Sequence, residues 1–187
     1  MRKKEFILSK ERLNILQKNT PSMSLFEIHA FLFEDIFSFA GNIRKDELWK
    51  NGRFCSSSIL ESNLEKCLND FEMHFENFHN DAHFLEMIAI DYCILNSIHP
   101  FLEGNGRTQR EFLRQNLAKY GYILDFSWTK HSDMLKASKN GCIGDYNLMT
   151  KIFSKSIHKN DNPYKFYRNL SYLAILSSDD LKSINNF

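Results

Sequence analysis

Glycine and proline are scarce in this sequence of 187 residues, which holds 7 Gly and 3 Pro against 17 Phe. Barrels and sandwiches of many strands need frequent tight turns, and those turns rely on glycine and proline. The shortage therefore disfavours an all-β fold, and the many bulky apolar residues favour helices around a core. We predict an all-α fold in a single domain, residues 1–187, because the length fits one domain.

A disulfide framework is also absent. The sequence has four cysteines and no C-x-x-C pair, so it lacks the pattern typical of small secreted proteins. We therefore expect reduced thiols and a cytoplasmic location. The cysteines are Cys55, Cys67, Cys93 and Cys142.

Long apolar runs are missing as well. The run near the start, Phe6–Leu8, is too short for the core of a signal peptide. Asp91 interrupts the longest other candidate, so no stretch approaches the roughly 20 apolar residues of a membrane span. We predict no membrane association. The 24 Lys and Arg against 23 Asp and Glu leave a net charge of +1, which does not predict a nucleic-acid partner.

Two capping-box patterns mark expected helix starts. Ser24 with Glu27 precedes apolar residues at helical spacing, and Gly41 is placed to end that helix. Ser58 with Glu61 has the same form and opens the next helix. Reciprocal capping of this kind predicts two helices that enclose a short intervening segment.

Later helices are bounded by proline, glycine and polar caps. Pro100 is expected to stop a third helix, because its ring disfavours helical backbone at the residue before it. A fourth runs over Arg107–Tyr120. Asp145 can cap another through His158, and Asn162–Pro163 can open one that continues to about Leu176.

One segment departs from the helical pattern. Residues 48–50 and 53–55 flank Asn51–Gly52, a pair that readily adopts the two positive φ angles of a type I′ turn. We predict a lone β-hairpin, which must rest on the helical body because two strands alone are marginally stable. Its free edge can hydrogen-bond an extended segment of a partner. The alternative is a surface loop without a role.

The segment His99–Arg110, with the sequence HPFLEGNGRTQR, concentrates residues suited to chemistry. Gly104 and Gly106 let the backbone approach a ligand, and the first amides of the following helix attract anions. Arg107 and Arg110 lie three residues apart on one helix face, where they can grip successive phosphates. The segment predicts a phosphate site.

Two more residues of the segment suit catalysis. Glu103 offers an oxygen ligand for Mg²⁺ that bridges phosphates, and His99 can take a proton from a hydroxyl group. Each signal alone is typical of a turn, a structural histidine or a solvated surface. Their convergence favours a site. The P-loop pattern is absent and no buried strand precedes the glycines, which excludes two common nucleotide-binding loops.

The same segment resembles the signature of the Fic family, H-P-F-x-[DE]-G-N-G-R-x-x-R, at every defining position. The resemblance covers about Leu25 to Asp125, including His29–Phe37 and Ile43–Arg44. It implies the Fic fold, an all-α helical bundle with one small β-hairpin flap, and leaves residues 126–187 as a helical C-terminal extension. It also implies transfer of AMP from ATP, with Mg²⁺, to a Ser, Thr or Tyr hydroxyl of a target protein.

The resemblance assigns catalytic roles by position. His99 would be the general base and Glu103 the Mg²⁺ ligand. Gly104, Asn105 and Gly106 would form an anion hole, with the Asn105 amide on the α-phosphate, so Asn105 joins His99 as a catalytic residue. Doc-type members, which transfer phosphate, have Lys where Gly106 stands, so this glycine favours nucleotidyl transfer.

The remaining implied roles concern binding. Arg107 would hold the β-phosphate and Arg110 the γ-phosphate, while Phe101 would be a buried anchor for the loop. The hairpin would be the flap that positions the target segment over the site. The flap residues are Lys50, Asn51, Gly52, Arg53 and Phe54.

Many family members are inhibited by a helix with the pattern [ST]-x-x-x-E-[GN]. This sequence has no match to the pattern, and no Glu occurs after Glu111. Two hypotheses follow. Either a small antitoxin-like protein supplies the glutamate, or the enzyme is unrestrained and acts as a toxin.

Two other functions remain open from the sequence. The chain could be a catalytically idle Fic-like module that binds a nucleotide or a protein partner. It could also be a metal protein built on His74, His79 and His83, of which the last two are i,i+4 neighbours on a helix.

Overall fold

The computed structural model describes residues 2–19, 22–49, 54–77 and 82–160. Over these residues the chain forms seven α-helices, one short 3₁₀ turn and a two-stranded antiparallel sheet. The elements, in chain order, are α1 (Arg2–Asn19), α2 (Leu25–Phe33), the 3₁₀ turn Ser57–Ile59, α3 (Leu60–Glu76), α4 (Ala82–Ile98), α5 (Asn105–Lys119), β1 (Tyr122–Leu124), α6 (His131–Gly141), α7 (Asn147–Ser156) and β2 (Ile157–Lys159). The predicted all-α fold class is confirmed.

The helix α4 lies at the centre of the bundle and packs against α3, α5, α6 and α7. Its apolar residues are buried on several sides because neighbours surround it. α3 is amphipathic instead: it buries Leu60, Leu64, Phe71 and Phe75 at helical spacing and exposes its other side. A second, smaller core joins α1 to α2. The main core thus supports the segment that follows α4.

The capping box at the start of α2 is confirmed. The Ser24 hydroxyl accepts from the N–H of Glu27, and the Glu27 carboxylate accepts from the N–H of Ser24. The helix nevertheless ends at Phe33, not near Gly41 as predicted. Residues 34–41 form successive turns, because the N–H of Gly41 donates to Nδ1 of His29 and the chain must fold back to reach it.

The second predicted capping box is wrong. Ile59 is the N-cap of α3, and a 3₁₀ turn precedes it. The carboxylate of Glu47 accepts from the N–H of Ser57 at 2.9 Å and from the Ser56 hydroxyl at 2.8 Å. Glu47 therefore caps the 3₁₀ turn that precedes α3, through residues other than Ser58.

Several elements of the second half differ from expectation. α5 starts at Asn105, two residues before the predicted start at Arg107. The helix predicted from Asp145 is α7, and it ends at Ser156 because the next residues pair with β1. α1, α6 and the β1–β2 pair were not predicted. The helix expected from Asn162 lies outside the described residues.

The sheet is small and closes the end of the bundle. Ile123 pairs with His158, and the N–H of Asp125 continues the pairing to the carbonyl of Ser156 at 2.7 Å. The strands come from distant parts of the chain, so no hairpin signal marks them. This sheet is not the predicted hairpin, whose turn lies outside the described residues.

Two further observations concern the cysteines and the helices. All four cysteines fall within the described ranges and are free thiols. None of the helices formed by the described residues is both long and apolar enough to cross a membrane.

Candidate active site

The candidate chemistry lies in the loop between α4 and α5. α4 ends at Ile98, directly before His99 and Pro100, as predicted. His99 adopts a left-handed backbone conformation with a φ of +52°, which residues other than glycine rarely take. The chain therefore turns sharply at His99, and the loop continues until α5 begins at Asn105.

The His99 ring is held from two directions. Its Nδ1 lies 3.1 Å from the carbonyl oxygen of Asn96. Its ring stacks on Phe54, with 4.0 Å between the centroids and 12° between the planes. A carbonyl oxygen only accepts, so Nδ1 carries the hydrogen of this bond and Nε2 is the atom that can take a proton. A general base requires such an oriented ring.

The side chain of Asn105 closes the loop on itself. Its Oδ1 accepts from the N–H of Phe101 at 2.9 Å, and its Nδ2 donates to the carbonyl of Phe101 at 2.6 Å. Both residues are buried, as expected for an anchor. Because the side-chain amide is committed to Phe101, the group of Asn105 that suits a phosphate is its main-chain N–H at the start of α5.

A buried histidine holds the other end of the loop. Nε2 of His29 donates to the carbonyl of Glu103 at 2.9 Å, while Nδ1 accepts from Gly41 at 2.8 Å. The ring stacks on Phe101 with 3.8 Å between the centroids. Burial lowers the pKa of His29 to about 4, so the ring is neutral near pH 7. In the sequence, His29 stands out only as part of the family resemblance, which assigns it no role.

The start of α5 provides amides for an anion. The N-cap is Gly104, with a φ of +83°, and no side chain caps this end among the described residues. The first N–H groups of a helix lack intrahelical acceptors and carry partial positive charge. The N–H of Gly104 itself donates to the Glu103 carboxylate at 2.9 Å. A Cβ at residue 104 would lie 2.4 Å from the ring of Phe33, so the close approach requires glycine.

Arg107 is engaged by α1. Its guanidinium donates to the Ser9 hydroxyl at 2.6 Å and forms an ion pair with the Glu5 carboxylate. It also lies over the ring of Phe33, 4.8 Å from the centroid. Glu5 and Ser9 were not predicted as partners of Arg107, because no helix over Arg2–Asn19 was expected from the sequence. A phosphate bound at Arg107 would compete with Glu5 for the same guanidinium.

Arg110 folds back along α5 toward Gly106. A Cβ at residue 106 would lie 3.0 Å from Nη1 of Arg110, so the glycine leaves room for the guanidinium beside the first turn. Burial raises the pKa of the Tyr92 hydroxyl on α4, and the guanidinium of Arg110 acts on that pKa in the opposite direction.

Glu103 is exposed at the edge of the loop, where its carboxylate can meet a bound phosphate chain. The described residues contain no group of three or more His, Cys, Asp or Glu that could hold a metal ion by themselves. Mg²⁺ commonly takes one or two carboxylates and completes its shell with phosphate oxygens and water. A single exposed carboxylate beside an anion site fits that donor set.

The stem of the predicted flap lies next to His99. The N–H of Phe54 donates to the carbonyl of Leu48 at 3.3 Å, so the two sides of the segment approach each other. Phe54 supplies the ring that stacks on His99. The other predicted flap residues, Lys50, Asn51, Gly52 and Arg53, lie outside the described residues.

A cavity of about 1080 Å³ adjoins the catalytic loop. It lies between α3, α4, α6 and the flap stem. Its lining residues include Phe54, Asn96 and His99, together with Leu135 and Cys142 of the α6 region.

The alternative metal site, built on His74, His79 and His83, is not seen among the described residues. Nδ1 of His74 lies 2.5 Å from the buried carboxylate of Asp91, so this histidine is paired within the bundle. His83 is exposed on α4. His79 lies outside the described residues. What the structure describes of this trio therefore favours structural and surface roles.

Comparisons with known proteins all point to one family. The sequence model of the Fic/DOC family matches residues 21–117 of this chain. A Salmonella typhimurium protein named "Probable protein adenylyltransferase Fic" is 32% identical over 133 residues, which cover 70% of this chain and 66% of that protein. "Protein adenylyltransferase VbhT" of Bartonella schoenbuchensis is 32% identical over 135 residues, 70% of this chain and 28% of that protein. The chain thus spans slightly less than two thirds of the first relative.

Solved structures share the fold. The N-terminal Fic domain of a Bartonella quintana cell filamentation protein, solved with ADP, has a TM-score of 0.74 at 22% identity, and the match covers 85% of each chain. BepC of Bartonella tribocorum, solved with AMPPNP, has a TM-score of 0.68 at 20% identity over 84% of this chain and 88% of that one.

Proposed function

Because the chain belongs to the Fic/DOC family, we propose that it is a protein adenylyltransferase, which moves AMP from ATP to a hydroxyl side chain of a target protein. Relatives at 32% identity carry that name. The observation that carries the proposal is the orientation of His99: its Nδ1 is committed to Asn96 at 3.1 Å, on the same loop that ends at the amides of α5.

The transfer needs a base, an acceptor and a leaving group. His99 Nε2 takes the proton of a Ser, Thr or Tyr hydroxyl, and the hydroxyl oxygen attacks the α-phosphorus of ATP. The new P–O bond forms as the bond to the β-phosphate breaks, and pyrophosphate leaves with that electron pair. The products are AMP-modified protein, pyrophosphate and a protonated His99. A base placed at the attacked centre contributes typically 10²- to 10⁴-fold to the rate.

The phosphate chain would lie along the start of α5. The main-chain N–H groups of Asn105 and Gly106 stabilise the α-phosphate, with Gly104 keeping the backbone close. Arg107 holds the β-phosphate and Arg110 the γ-phosphate. Donors arranged in advance around developing charge are an effective source of rate enhancement in phosphoryl transfer. Arg107 must exchange Glu5 for phosphate when ATP binds.

Glu103 would ligate Mg²⁺ together with phosphate oxygens, and the cation would neutralise charge on the leaving pyrophosphate. The exposed carboxylate and the adjoining amides support this assignment. The backbone of Glu103 is held by His29, so the position of the carboxylate depends on a buried neutral ring.

The flap would hold the target segment. We propose that Lys50, Asn51, Gly52, Arg53 and Phe54 form the hairpin that aligns the target hydroxyl with His99. Support comes from Phe54, which stacks on the base, and from the hydrogen bond that joins the sides of the stem.

Regulation and setting are further parts of the proposal. We propose a cytoplasmic enzyme of one domain, with a Fic core over about 25–125 and a C-terminal extension whose described part, residues 126–160, contains α6, α7 and β2. It would act as a toxin, restrained by a small antitoxin-like protein. Growth arrest on expression that disappears with Arg110→Ala supports this, and arrest that persists in that variant contradicts it.

A second candidate is a catalytically idle Fic-like module that binds a protein partner. The observation in its favour is the engagement of Arg107 by Glu5 and Ser9, which occupies a group that ATP would need. This candidate predicts that loss of His99 leaves the biological activity unchanged.

One experiment separates the two. Wild-type protein and the His99→Ala variant are incubated with α-labelled ATP, Mg²⁺ and a cell lysate, and labelled protein bands are counted. Bands that require His99 support AMP transfer, and their masses identify targets. The exposed histidine of α4 gives a matched control, His83→Ala, which should label like wild type. The absence of any labelled band, with wild type and with variants alike, supports the idle module.

A further inference from the structure

Arg44 is a buried arginine in the segment between α2 and the predicted hairpin, only 3% exposed. Its guanidinium reaches the end of α4, where Nε donates to the carbonyl of His99 at 2.8 Å and Nη2 donates to the carbonyl of Ile98 at 3.1 Å. Its main-chain N–H donates to the carbonyl of Pro100 at 2.9 Å. One residue thus binds three successive carbonyls around His99.

The same guanidinium also binds both sides of the flap stem. Nη1 donates to the carbonyl of Asp46 at 2.7 Å, and Nη2 donates to the carbonyl of Cys55 at 2.5 Å. The N–H of Cys55 in turn donates to the carbonyl of Ser97 at 3.1 Å. Arg44 therefore connects the start of the flap, the end of the flap and the catalytic loop through a planar group with fixed donor directions.

His99 needs such support. Its φ of +52° is unfavourable for a residue with a side chain, and this conformation persists only where the surroundings hold it. The carbonyls before, at and after His99 are the ones that Arg44 binds. These bonds stabilise the turn that brings the ring against Asn96 and Phe54.

We propose that Arg44 is a positioning residue for AMP transfer: it holds His99 in its left-handed conformation and sets the flap stem against it, so that base and target segment are aligned before ATP binds. The inference rests on the proposed function for its kinetic consequence. Its structural part, the orientation of His99, does not depend on which group is transferred.

The test compares Arg44→Met, which removes all the side-chain donors, with Arg44→Lys, which keeps the charge and some of those donors. Arg12→Met is the matched control, because Arg12 also binds a main-chain carbonyl and two carboxylates but contacts α2 and the residues after it. Three measurements are made on each folded protein: the ¹⁵N resonances of the His99 ring, ATP affinity, and kcat and KM for labelling of a target.

In wild type we expect the His99 resonances to show a hydrogen on Nδ1 in the neutral ring. Arg44→Met should give a mixture of tautomers and reduce kcat about 100-fold, the loss typical of a misplaced catalytic group, with ATP affinity unchanged. Arg44→Lys should lie between wild type and Arg44→Met. Arg12→Met should resemble wild type in all three measurements.

An unchanged tautomer and unchanged kcat in both Arg44 variants would overturn the proposal. If Arg44→Met does not fold, Arg44→Lys decides by the same measurements. If wild type labels no protein, the proposed function fails, while the ring resonances still decide whether Arg44 orients His99.

Discussion

The guanidinium of Arg107, in the first turn of α5, forms an ion pair with the carboxylate of Glu5 in α1. The two residues are 102 positions apart in sequence. Both side chains are largely shielded from solvent, so the contact is stronger than a freely exposed pair. A phosphate bound at Arg107, as proposed, would therefore compete directly with α1 for the guanidinium.

Removing the Glu5 charge should make ATP bind more tightly. Glu5→Gln frees Arg107, and we expect about a fivefold decrease in the Kd for ATP, which corresponds to roughly 1 kcal/mol. Titration of ATP in the presence of Mg²⁺ measures this. Glu11→Gln, at an exposed position of the same helix, is the control and should not change the Kd. Equal affinities for all three proteins would show that Glu5 does not compete.

Loss of the Asn105 side chain should destabilise the loop. Asn105→Ala leaves the buried N–H and carbonyl of Phe101 without their partners, which should lower the free energy of unfolding by about 1–3 kcal/mol. Urea denaturation provides the measurement. Asn116→Ala removes a half-buried side chain that donates to one carbonyl on the same helix, and it should cost clearly less. Similar costs at the two sites would argue against a special role for the Asn105 contacts.

Two glycines with nearly equal φ angles allow two costs of an alanine substitution to be distinguished: backbone strain from the left-handed conformation, and a steric clash of the new Cβ. Gly104 and Gly144 have φ values of +83° and +84°, but a Cβ meets the Phe33 ring only at residue 104. Gly144→Ala should cost about 1–2 kcal/mol for the left-handed backbone alone. Gly104→Ala should cost a further 1–3 kcal/mol, roughly, because the core must move. Equal losses of stability in thermal or urea unfolding would contradict the close approach.

Burial of His29 should make stability depend on pH. Its pKa is about 4 when folded and higher when unfolded, so below neutral pH the unfolded chain binds more protons. The contribution of His29 to the free energy of unfolding is fully present above about pH 6.5 and is lost as the pH falls toward 4. Between pH 7 and pH 5 the loss should be about 2 kcal/mol.

Protonation of Asp91 changes the free energy of unfolding in the opposite direction over part of the same pH range. Burial raises its pKa to about 6, so it favours the folded state as the pH falls. The measurement is therefore the difference between wild type and His29→Gln in the change of unfolding free energy from pH 7 to pH 5. The variant should lose less stability than wild type by about 2 kcal/mol. Parallel pH curves would show that His29 titrates normally.

Local patterns predicted the elements that depend on neighbouring residues. The Ser24 capping box and the stop before Pro100 both follow from contacts or backbone limits within a few residues. The candidate segment from His99 to Arg110 was equally visible, because its residues are contiguous. In contrast, Ser58 and Glu61 have the right spacing for a cap, but a 3₁₀ turn stands there, and the carboxylate of Glu47 accepts from its first residue, Ser57.

The sequence by itself determined the helical character of the chain, its free thiols and the set of residues in the loop from His99 to Arg110, since composition and short-range chemistry specify these. The tertiary structure decided which groups hold that loop. His29 and Arg44 bind its two ends, and Glu5 reaches Arg107 from 102 positions away. Hydrogen bonds and ion pairs between distant segments leave no periodic signal in a sequence, because their geometry exists only once the helices have packed.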